Sequence, residues 1–556
     1  MTDRFTMLDW LGLAGYAALL IGTGWWFSRK KQRSSSDYFL AGRSMPAWAV
    51  AVSTAATAIS AATFVGVPEM AYAGDLTYLA ANIGAILAIL VVAFVFVPAF
   101  YRANVTTVYG LLEQRLGPGA RTAASIAFLV GRVFSSGARL YIAAIPAAMI
   151  IWGDSPDSAN LSHLLVSIGA LTAVGIVYTL IGGVRSVIWT DIAQTVVFVT
   201  AAGIVVAILL TRIDASIPEI WRTLGEQTTS RDTHKTTIIS TSGEPAAAYT
   251  LWASVIGMTL LYLAAYGTDH DMAQRMLTCK TPASGGRSAI TAVILQVPLI
   301  ALFLGIGSLL WIFHHRPDML VEGVRDETGG AGPPAGSRVF IRFIVDHGPA
   351  GLSGLTIAGL YAAALSTLNS GLNAMGASLY ADLYLPLRKR LGKPDASPKS
   401  EVRTGRFFVM VAGVLVGCFA CFCVWWQRTG GLLLIDLALS VMTFAYAGLL
   451  AVFLTAILTR RGNSASALAA ILTGFIVVAA LQPAWIGAWT ALIPGHGPTP
   501  EIADDWRLGE LRLAFPWQLT IGFAASFVVC ISGKRRSTRQ LGNPREGSSP
   551  TTVPSN

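Results

Sequence analysis

Residues 49–74 read AVAVSTAATAISAATFVGVPEMAYAG, a stretch that is long and apolar but dense in Ala, Ser and Thr. Small residues let helix backbones approach closely, and hydroxyls can hydrogen-bond across helices, so tight packing is one interpretation. The other is a cation site, in which an unwound helix offers its carbonyls and a facing helix offers hydroxyls. Both interpretations place this stretch in a membrane, and the residues alone leave the choice open.

Two further stretches depart from ordinary Leu, Val and Ala runs. Residues 359–384, GLYAAALSTLNSGLNAMGASLYADLY, are again small and rich in hydroxyls. Residues 261–275, LYLAAYGTDHDMAQR, contain a glycine and two carboxylates that interrupt the apolar pattern. We interpret Asp269, His270 and Asp271 as a solvated cytoplasmic turn at the end of a span.

The composition of the whole chain agrees with a membrane protein. Of the 556 residues 54% are hydrophobic and 13% charged, with a mean hydropathy of +0.59. Soluble domains carry about 25% charged residues. A soluble enzyme, a nucleic-acid-binding protein and a disordered scaffold are therefore excluded as descriptions of the whole chain, and we predict an all-α polytopic membrane protein.

A membrane-spanning helix needs about 20 apolar residues, and this criterion predicts about thirteen spans. They lie near 8–28, 46–73, 78–101, 121–152, 160–181, 187–211, 249–276, 286–313, 353–384, 404–427, 430–459, 463–483 and 514–533.

Basic residues predict the orientation of these spans. Alternate loops, counted as one face, carry about twice as many Lys and Arg residues as the other face. The richer face includes the clusters at 29–31, 388–390 and 534–536, each just beyond an apolar stretch, so we interpret them as topology signals rather than a phosphate-binding surface. We expect a plasma-membrane protein with its N-terminus outside and a disordered cytoplasmic tail over 534–556.

Four motifs resemble the sodium/solute symporter family. They are DYFLAGR (37–43), GGVRSVIWTDIAQTVVF (182–198), YGTDHDMAQRMLTCK (266–280) and AALSTLNSGLNA (363–374). They occur in the order and spacing of that family over roughly residues 8–480. The resemblance implies a five-plus-five inverted-repeat transporter core in which broken helices bind ligands near the midplane.

The resemblance also implies a division of the chain. The first span and its cytoplasmic loop would occupy 1–45, the first repeat 46–211, an extracellular loop 212–246 and the second repeat 247–459. Two C-terminal spans would occupy 460–533, and the tail 534–556.

Sodium is the coupling ion that the resemblance implies. The positions that match the main sodium site of the family are Ala56, Ile59, Ala363, Ser366 and Thr367. The first three need only a backbone oxygen, so the two hydroxyl residues are the testable ligands. A second site, present in some members, resembles Asp191 with Ser366, Asn369 and Ser370, although an amide stands at 369 where those members have a hydroxyl.

The substrate pocket is expected beside the second span. Its candidate residues are Thr57, Ser60, Thr63, Tyr78, Asn82 and Arg132, with Arg139, Tyr262 and Tyr266 as further candidates. Arg132 and Arg139 lie seven residues apart in GRVFSSGARLY, and an arginine in a membrane span needs a partner. Arg132 is expected to bind a substrate carboxylate, because a guanidinium group holds it with two parallel hydrogen bonds. The alternatives for Arg132 are an ion pair with Asp191 or a side chain that reaches the interface.

The set Ser60, Thr63 and Arg132 resembles the bacterial sialic-acid symporters of this family, which implies import of a carboxylate such as sialic acid. Ala58 stands where a threonine is expected nearby. A sodium-coupled sugar or proline-like symporter is the alternative, and a membrane enzyme or a transporter-like sensor would be a different class. The sequence contains no HExxH, GxSxG or nucleotide-binding loop, so we do not expect an enzyme. The expected partners are the solute, sodium ions and the lipid bilayer, with a monomer as the expected state.

Overall fold

The computed structural model describes residues 6–28, 34–154, 160–229, 232–328, 339–394, 397–430, 434–482 and 513–534. These residues form helices joined by loops, with isolated β-bridges but no β-strand among them. The predicted basic clusters at 29–31 and 534–536 and the predicted tail fall almost wholly outside the described residues.

The helices follow the predicted spans closely. Those of the first half are α1 (Met7–Ser28), α2 (Ser35–Leu40), α3 (Ala47–Ala58), α4 (Ala61–Ala73), α5 (Ala81–Val91), α6 (Val97–Ala103), α7 (Tyr109–Leu116), α8 (Pro118–Trp152), α9 (Leu161–Arg212) and α10 (Ile217–Gly225). Those of the second half are α11 (Thr259–Gly267), α12 (His270–Leu277), α13 (Pro282–His315), α14 (Glu322–Thr328), α15 (Val339–His347), α16 (Leu352–Ser378), α17 (Leu385–Arg390), α18 (Pro398–Gly430), α19 (Leu434–Leu458), α20 (Ser464–Ala480) and α21 (Phe515–Ile531).

Most of these helices can cross a bilayer. Among the described residues, eight are individually long and apolar enough, and the bent pair α3 and α4 makes a ninth span. Shorter apolar helices occupy the four remaining predicted positions, at Ala253–Gly267, Met442–Leu458, Ser464–Ala480 and Phe515–Ile531. Because the four apolar segments with these bounds have fewer than the roughly 20 residues that a full span needs, the total of thirteen stays a prediction.

The loops gather at two ends of the helix bundle in the alternating pattern that the sequence predicts. At one end Arg43 donates to the carbonyl of Val105, and Ser464 donates to that of Leu116. At the other end the backbone of Leu76 bonds to Thr237, and that of Ala514 bonds to Pro245. Alternate loops therefore lie together, as a polytopic membrane protein requires.

The DYFLAGR motif forms α2, which is inserted between helices at the end that carries Arg43. Tyr38 and Phe39 are fully buried, and the Tyr38 hydroxyl donates to the carbonyl of Thr179 at 3.1 Å. Gly183 bends α9 with φ 60° and ψ −168°, and a Cβ at this position would lie 2.7 Å from the Tyr38 carbonyl oxygen. The bend in α9 therefore creates the room that α2 occupies.

At the opposite end a lysine from the loop after α10 closes the last turn of α4. The Nζ atom of Lys235 donates to the carbonyls of Tyr72 at 2.8 Å and Gly74 at 2.9 Å, which the helix end leaves without partners. It also lies 5.2 Å from the centre of the Trp311 ring. This contact joins α4, the loop and α13.

The N-terminal helix α1 is fixed to α16 by a buried carboxylate. Asp9 is 1% exposed, and its Oδ1 atom accepts a hydrogen bond from the backbone N–H of Gly354 at 2.7 Å. A Cβ at Gly354 would lie 2.2 Å from the Asp9 carbonyl oxygen, so only glycine permits this approach. The contact satisfies one of the free N–H groups in the first turn of α16.

Candidate functional site

The second span breaks where its sequence is richest in small residues. Ile59 and Ser60 are extended between α3 and α4, and the two helices are bent by 61°. The Ser60 side chain makes no capping bond to α4. Because the extended residues end the helical ladder, carbonyls of the last turn of α3 and N–H groups of the first turn of α4 are free to bind a ligand.

The residues of the predicted main sodium site lie on two elements, the end of α3 at this break and the middle of α16. Ala56 and Ile59 belong to the α3 side, and Ala363, Ser366 and Thr367 lie on α16; all are at most 2% exposed. The Thr367 hydroxyl lies 3.1 Å from the carbonyl oxygen of Thr57 and 3.2 Å from that of Ala363. This hydroxyl therefore faces the backbone just before the break.

Of the four residues of the predicted second sodium site, the structure brings Ser366 and Asp191 together, whereas the side chains of Asn369 and Ser370 bind other partners. Ser366 donates to Asp191 Oδ1 at 2.7 Å, but Ser370 donates to Asp271, and Asn369 accepts from Thr179 at 3.4 Å. The other oxygen of Asp191 is already bound by Ser53 and Arg275.

A chain of buried ion pairs joins α9, the α11–α12 break and α8. Arg275 donates to Asp191 at 3.0 Å and to Asp271 at 2.8 Å. Arg132 in turn donates to Asp271 and, at 3.1 Å, to Asp269. Tyr446 donates to the same Asp269 oxygen at 2.7 Å. Each side chain in these pairs is at most 2% exposed, so the charges are compensated by one another rather than by water.

This network corrects two interpretations from the sequence. The segment from Asp269 to Asp271 is not a solvated turn, because its three residues are at most 2% exposed. Arg132 does not pair with Asp191 but with Asp269 and Asp271. The signal that pointed to these partners was already present, since two carboxylates inside an apolar stretch need cations.

A cavity opens beside the break and is lined by seven of the nine candidate substrate residues. Those seven are Ser60, Thr63, Tyr78, Arg132, Arg139, Tyr262 and Tyr266. The other two do not line it. Thr57 accepts from Arg275 and donates to the Ser53 carbonyl, and Asn82 donates to the Leu79 carbonyl. Gln296, Met442 and Tyr446 also line the cavity and were not predicted.

The two arginines of the cavity differ in what they bind. Both terminal nitrogens of Arg132 are bound to aspartates. Arg139 donates to the sulfur of Met442 at 3.1 Å, and among the described residues it has no carboxylate within ion-pair distance. Arg139 therefore retains N–H groups that can donate hydrogen bonds to an anionic group in the cavity.

Comparison with known proteins gives one family for most of the chain. The model of the sodium:solute symporter family matches residues 38–474. The sodium/sialic acid symporter SiaT of Proteus mirabilis is 27% identical and covers 86% of this chain and 90% of its own length. The sodium/sialic acid symporter NanT of Aliivibrio fischeri is 26% identical and covers 92% of this chain and 96% of its own length. The mouse sodium-coupled monocarboxylate transporter 1 is 26% identical over 89% of this chain and 75% of its own length.

Solved structures show the same fold. An outward-open, substrate-bound Na⁺-coupled sialic acid symporter superposes with a TM-score of 0.74, at 24% identity, over 95% of this chain and 98% of its own. The nucleobase-cation-symport-1 family transporter Mhp1 in a closed conformation gives a TM-score of 0.51 at 14% identity, over 91% and 95%. These likenesses confirm the predicted class, an all-α polytopic inverted-repeat transporter fold.

Proposed function

This chain belongs to the sodium:solute symporter family, and we propose on that premise that it imports a sialic acid or a similar sugar acid together with Na⁺. Membership in a family of sodium-coupled transporters excludes the membrane-enzyme alternative. Sodium is the coupling ion, and the solute is the part of the proposal that needs its own support.

The observation that carries the choice of an anionic solute is Arg139 in the cavity. Arg139 lines the cavity together with Ser60 and Thr63, which lie at the N-terminus of α4. Free N–H groups and the helix dipole favour a negative group at this end of a helix. A carboxylate placed there accepts from Arg139 and from the hydroxyls, whereas a neutral sugar offers no charged acceptor to Arg139, which otherwise donates to the Met442 sulfur. We therefore assign to Arg139 the role that the sequence suggested for Arg132.

For sodium we propose the main site at Ala56, Ile59, Ala363, Ser366 and Thr367. Three backbone carbonyls and two hydroxyls are five neutral oxygens, a suitable set for a hard monovalent cation. The contact between Thr367 and the Thr57 carbonyl supports this choice, since a bound ion would join α16 to the break as that contact does. A second ion near Asp191 would have to displace Arg275, and Asn369 and Ser370 would have to turn toward it.

The remaining proposals concern architecture. We assign the two repeats to 46–211 and 247–459, with the first span, the extracellular loop at 212–246 and two C-terminal spans outside them. The N-terminus lies outside and the C-terminus in the cytoplasm, since the richer basic face defines the cytoplasmic side. A monomer contains every residue of the proposed sites.

Uptake into proteoliposomes tests the function. Purified protein is reconstituted and supplied with radiolabelled N-acetylneuraminate, lactate, proline or galactose, with an inward Na⁺ gradient or with choline in its place. We expect Na⁺-dependent uptake of N-acetylneuraminate. Uptake of galactose or proline in preference to both carboxylates would contradict an anionic solute, and preference for lactate would assign a short monocarboxylate.

A further inference from the structure

Six charged side chains surround the breaks in the second and seventh spans. This six-charge cluster consists of Arg132, Arg139, Arg275, Asp191, Asp269 and Asp271. Five of its members are joined by the ion pairs described above. The sixth, Arg139, shares the cavity wall with Arg132 and lies two turns away on α8, about 10 Å along the helix. With His270 counted as neutral, three arginines and three aspartates sum to zero.

The six-charge cluster extends from the proposed sodium site to the proposed substrate site. Ser366 of the sodium site donates to Asp191, and the ion pairs continue through Arg275 and Asp271 to Arg132 in the cavity wall. Asp271 connects the two parts of this series of ion pairs. One of its oxygens accepts from Arg275, and the other accepts from Arg132 and Ser370. Water cannot compensate a change in these charges, since the joined members are at most 2% exposed.

We propose that Asp271 is a positioning residue. Its negative charge sets the net charge of the six-charge cluster and thereby the affinities for Na⁺ and for the substrate carboxylate. The proposal rests on the sodium and carboxylate sites proposed above. With both ligands absent the cluster is neutral. A substrate carboxylate beside Arg139 makes it negative by one charge, and Na⁺ beside Ser366 returns it to zero. Because an unbalanced charge is costly in a buried site, each ligand strengthens the binding of the other.

The substitution Asp271→Asn gives the proposal a signature that a purely structural role would not produce. The cluster becomes positive by one charge, so Na⁺ should bind more weakly and the carboxylate, measured without Na⁺, more tightly. One charge at about 10 Å in a medium of effective dielectric about 20 changes an affinity about 15-fold. We therefore expect opposite shifts of about tenfold in the two dissociation constants.

Three further variants separate charge from shape. Asp271→Glu keeps the charge and should leave both affinities near wild type. The double variant Asp271→Asn with Arg132→Gln removes one charge of each sign, and both affinities should return toward wild type. Asp269→Asn makes the same charge change as Asp271→Asn but leaves Arg275 paired, so it serves as the test if Asp271→Asn does not fold.

The affinities are measured by thermal unfolding of purified protein. One titration varies Na⁺ against choline at constant ionic strength without substrate, and the other varies N-acetylneuraminate in choline. Two outcomes would overturn the proposal. In one, Asp271→Asn and Asp269→Asn weaken the binding of both Na⁺ and N-acetylneuraminate; in the other, neither variant changes either affinity. The Na⁺ titration needs no substrate. A wild type that binds Na⁺ but shows no stabilisation by N-acetylneuraminate even in saturating Na⁺ contradicts the proposed solute, while the Na⁺ shift still decides the role of Asp271.

Discussion

The Thr367 hydroxyl lies 3.1 Å from the carbonyl oxygen of Thr57, so α16 contacts the second span one turn or less before it breaks. The two residues are 310 positions apart in the chain. Both small-residue stretches that stand out in the sequence therefore meet at one point. In this arrangement an ion that binds both helices would hold the end of α3 against α16.

We predict that Thr367→Ala raises the Na⁺ concentration for half-maximal uptake several-fold, and that Ser366→Ala does the same. Each change removes one of about five oxygens from a site with few ligands to replace it. Thr367→Ser keeps the oxygen and should remain near wild type. The matched control is Thr356→Ala on the same helix, whose buried hydroxyl has no hydrogen-bond partner among the described residues. Unchanged Na⁺ dependence in both alanine variants would leave these hydroxyls with a packing role only.

The two cavity arginines should respond differently to substitution. Arg139→Gln should abolish stabilisation by N-acetylneuraminate and should cost less stability than Arg132→Gln, because Arg139 has no direct ion pair among the described residues to lose. Loss of one partner of a buried charge pair typically costs 2–5 kcal/mol, roughly 30-fold to several thousandfold in affinity. Arg139→Lys should bind weakly, since an ammonium group cannot form two parallel hydrogen bonds.

Arg132→Gln should instead lower the free energy of unfolding by about 3–5 kcal/mol, because it leaves Asp269 and Asp271 short of a cation. Asp271→Asn in the same chain should recover part of that loss by removing one stranded charge, whereas Asp191→Asn should not. Substrate-induced and substrate-free melting temperatures of the single and double variants separate the two roles. If Arg132→Gln folds normally and loses only substrate binding, the roles assigned to the two arginines are exchanged.

Gly183→Ala should destabilise the protein by about 1–3 kcal/mol, because φ 60° with ψ −168° is a conformation that alanine rarely adopts. Its Cβ would also meet the Tyr38 carbonyl oxygen at 2.7 Å. Gly203→Ala on the same helix is the control, since its Cβ would meet nothing within 4 Å. The melting temperature should fall for the first variant and stay level or rise for the second. Equal melting temperatures would show that α2 can shift without cost.

Lys235 gives a prediction for alkaline pH. Burial lowers the pKa of Lys235 from its ordinary value of 10.5 to about 8, while Asp75 acts in the opposite direction. Between these two values the unfolded chain binds a proton that the folded protein does not, so the folded state gains stability as pH rises through this window. Relative to Lys235→Gln, the melting temperature of wild type should therefore rise between pH 8 and pH 10. A difference that stays flat or falls over this range would contradict a lowered pKa.

The sequence predicts the helices well because each is a local pattern. The small residues near 59–60 are compatible with a break but do not require one, and it is the family resemblance that implies it. Thr268 and Asp269 interrupt the seventh span where LYLAAYGTDHDMAQR loses its apolar pattern. The partners across the bundle are harder to predict. Arg132 and Asp271 are 139 positions apart, and helical periodicity states which face a residue occupies but not which helix lies opposite. For the same reason the sequence favours Arg132 over Arg139 as the ligand of a substrate carboxylate. What distinguishes the two arginines is which residues of other spans lie beside them.

The contact between Asp9 and the first turn of α16 ties the N-terminal helix to the helix that carries the proposed sodium ligands. The helix that carries Ser366 and Thr367 is bound at its N-terminal end by α1, a span that the proposed division of the chain places outside both repeats. A displacement of α16 along its axis would pull Gly354 away from a buried carboxylate. The bent pair α3 and α4 is joined by two extended residues, Ile59 and Ser60, the kind of short connection that can absorb a change in the angle between two helices. We therefore expect the second span to move relative to α1 and α16 in the transport cycle, while Ser366 and Thr367 stay attached to α1 through the contact at Asp9.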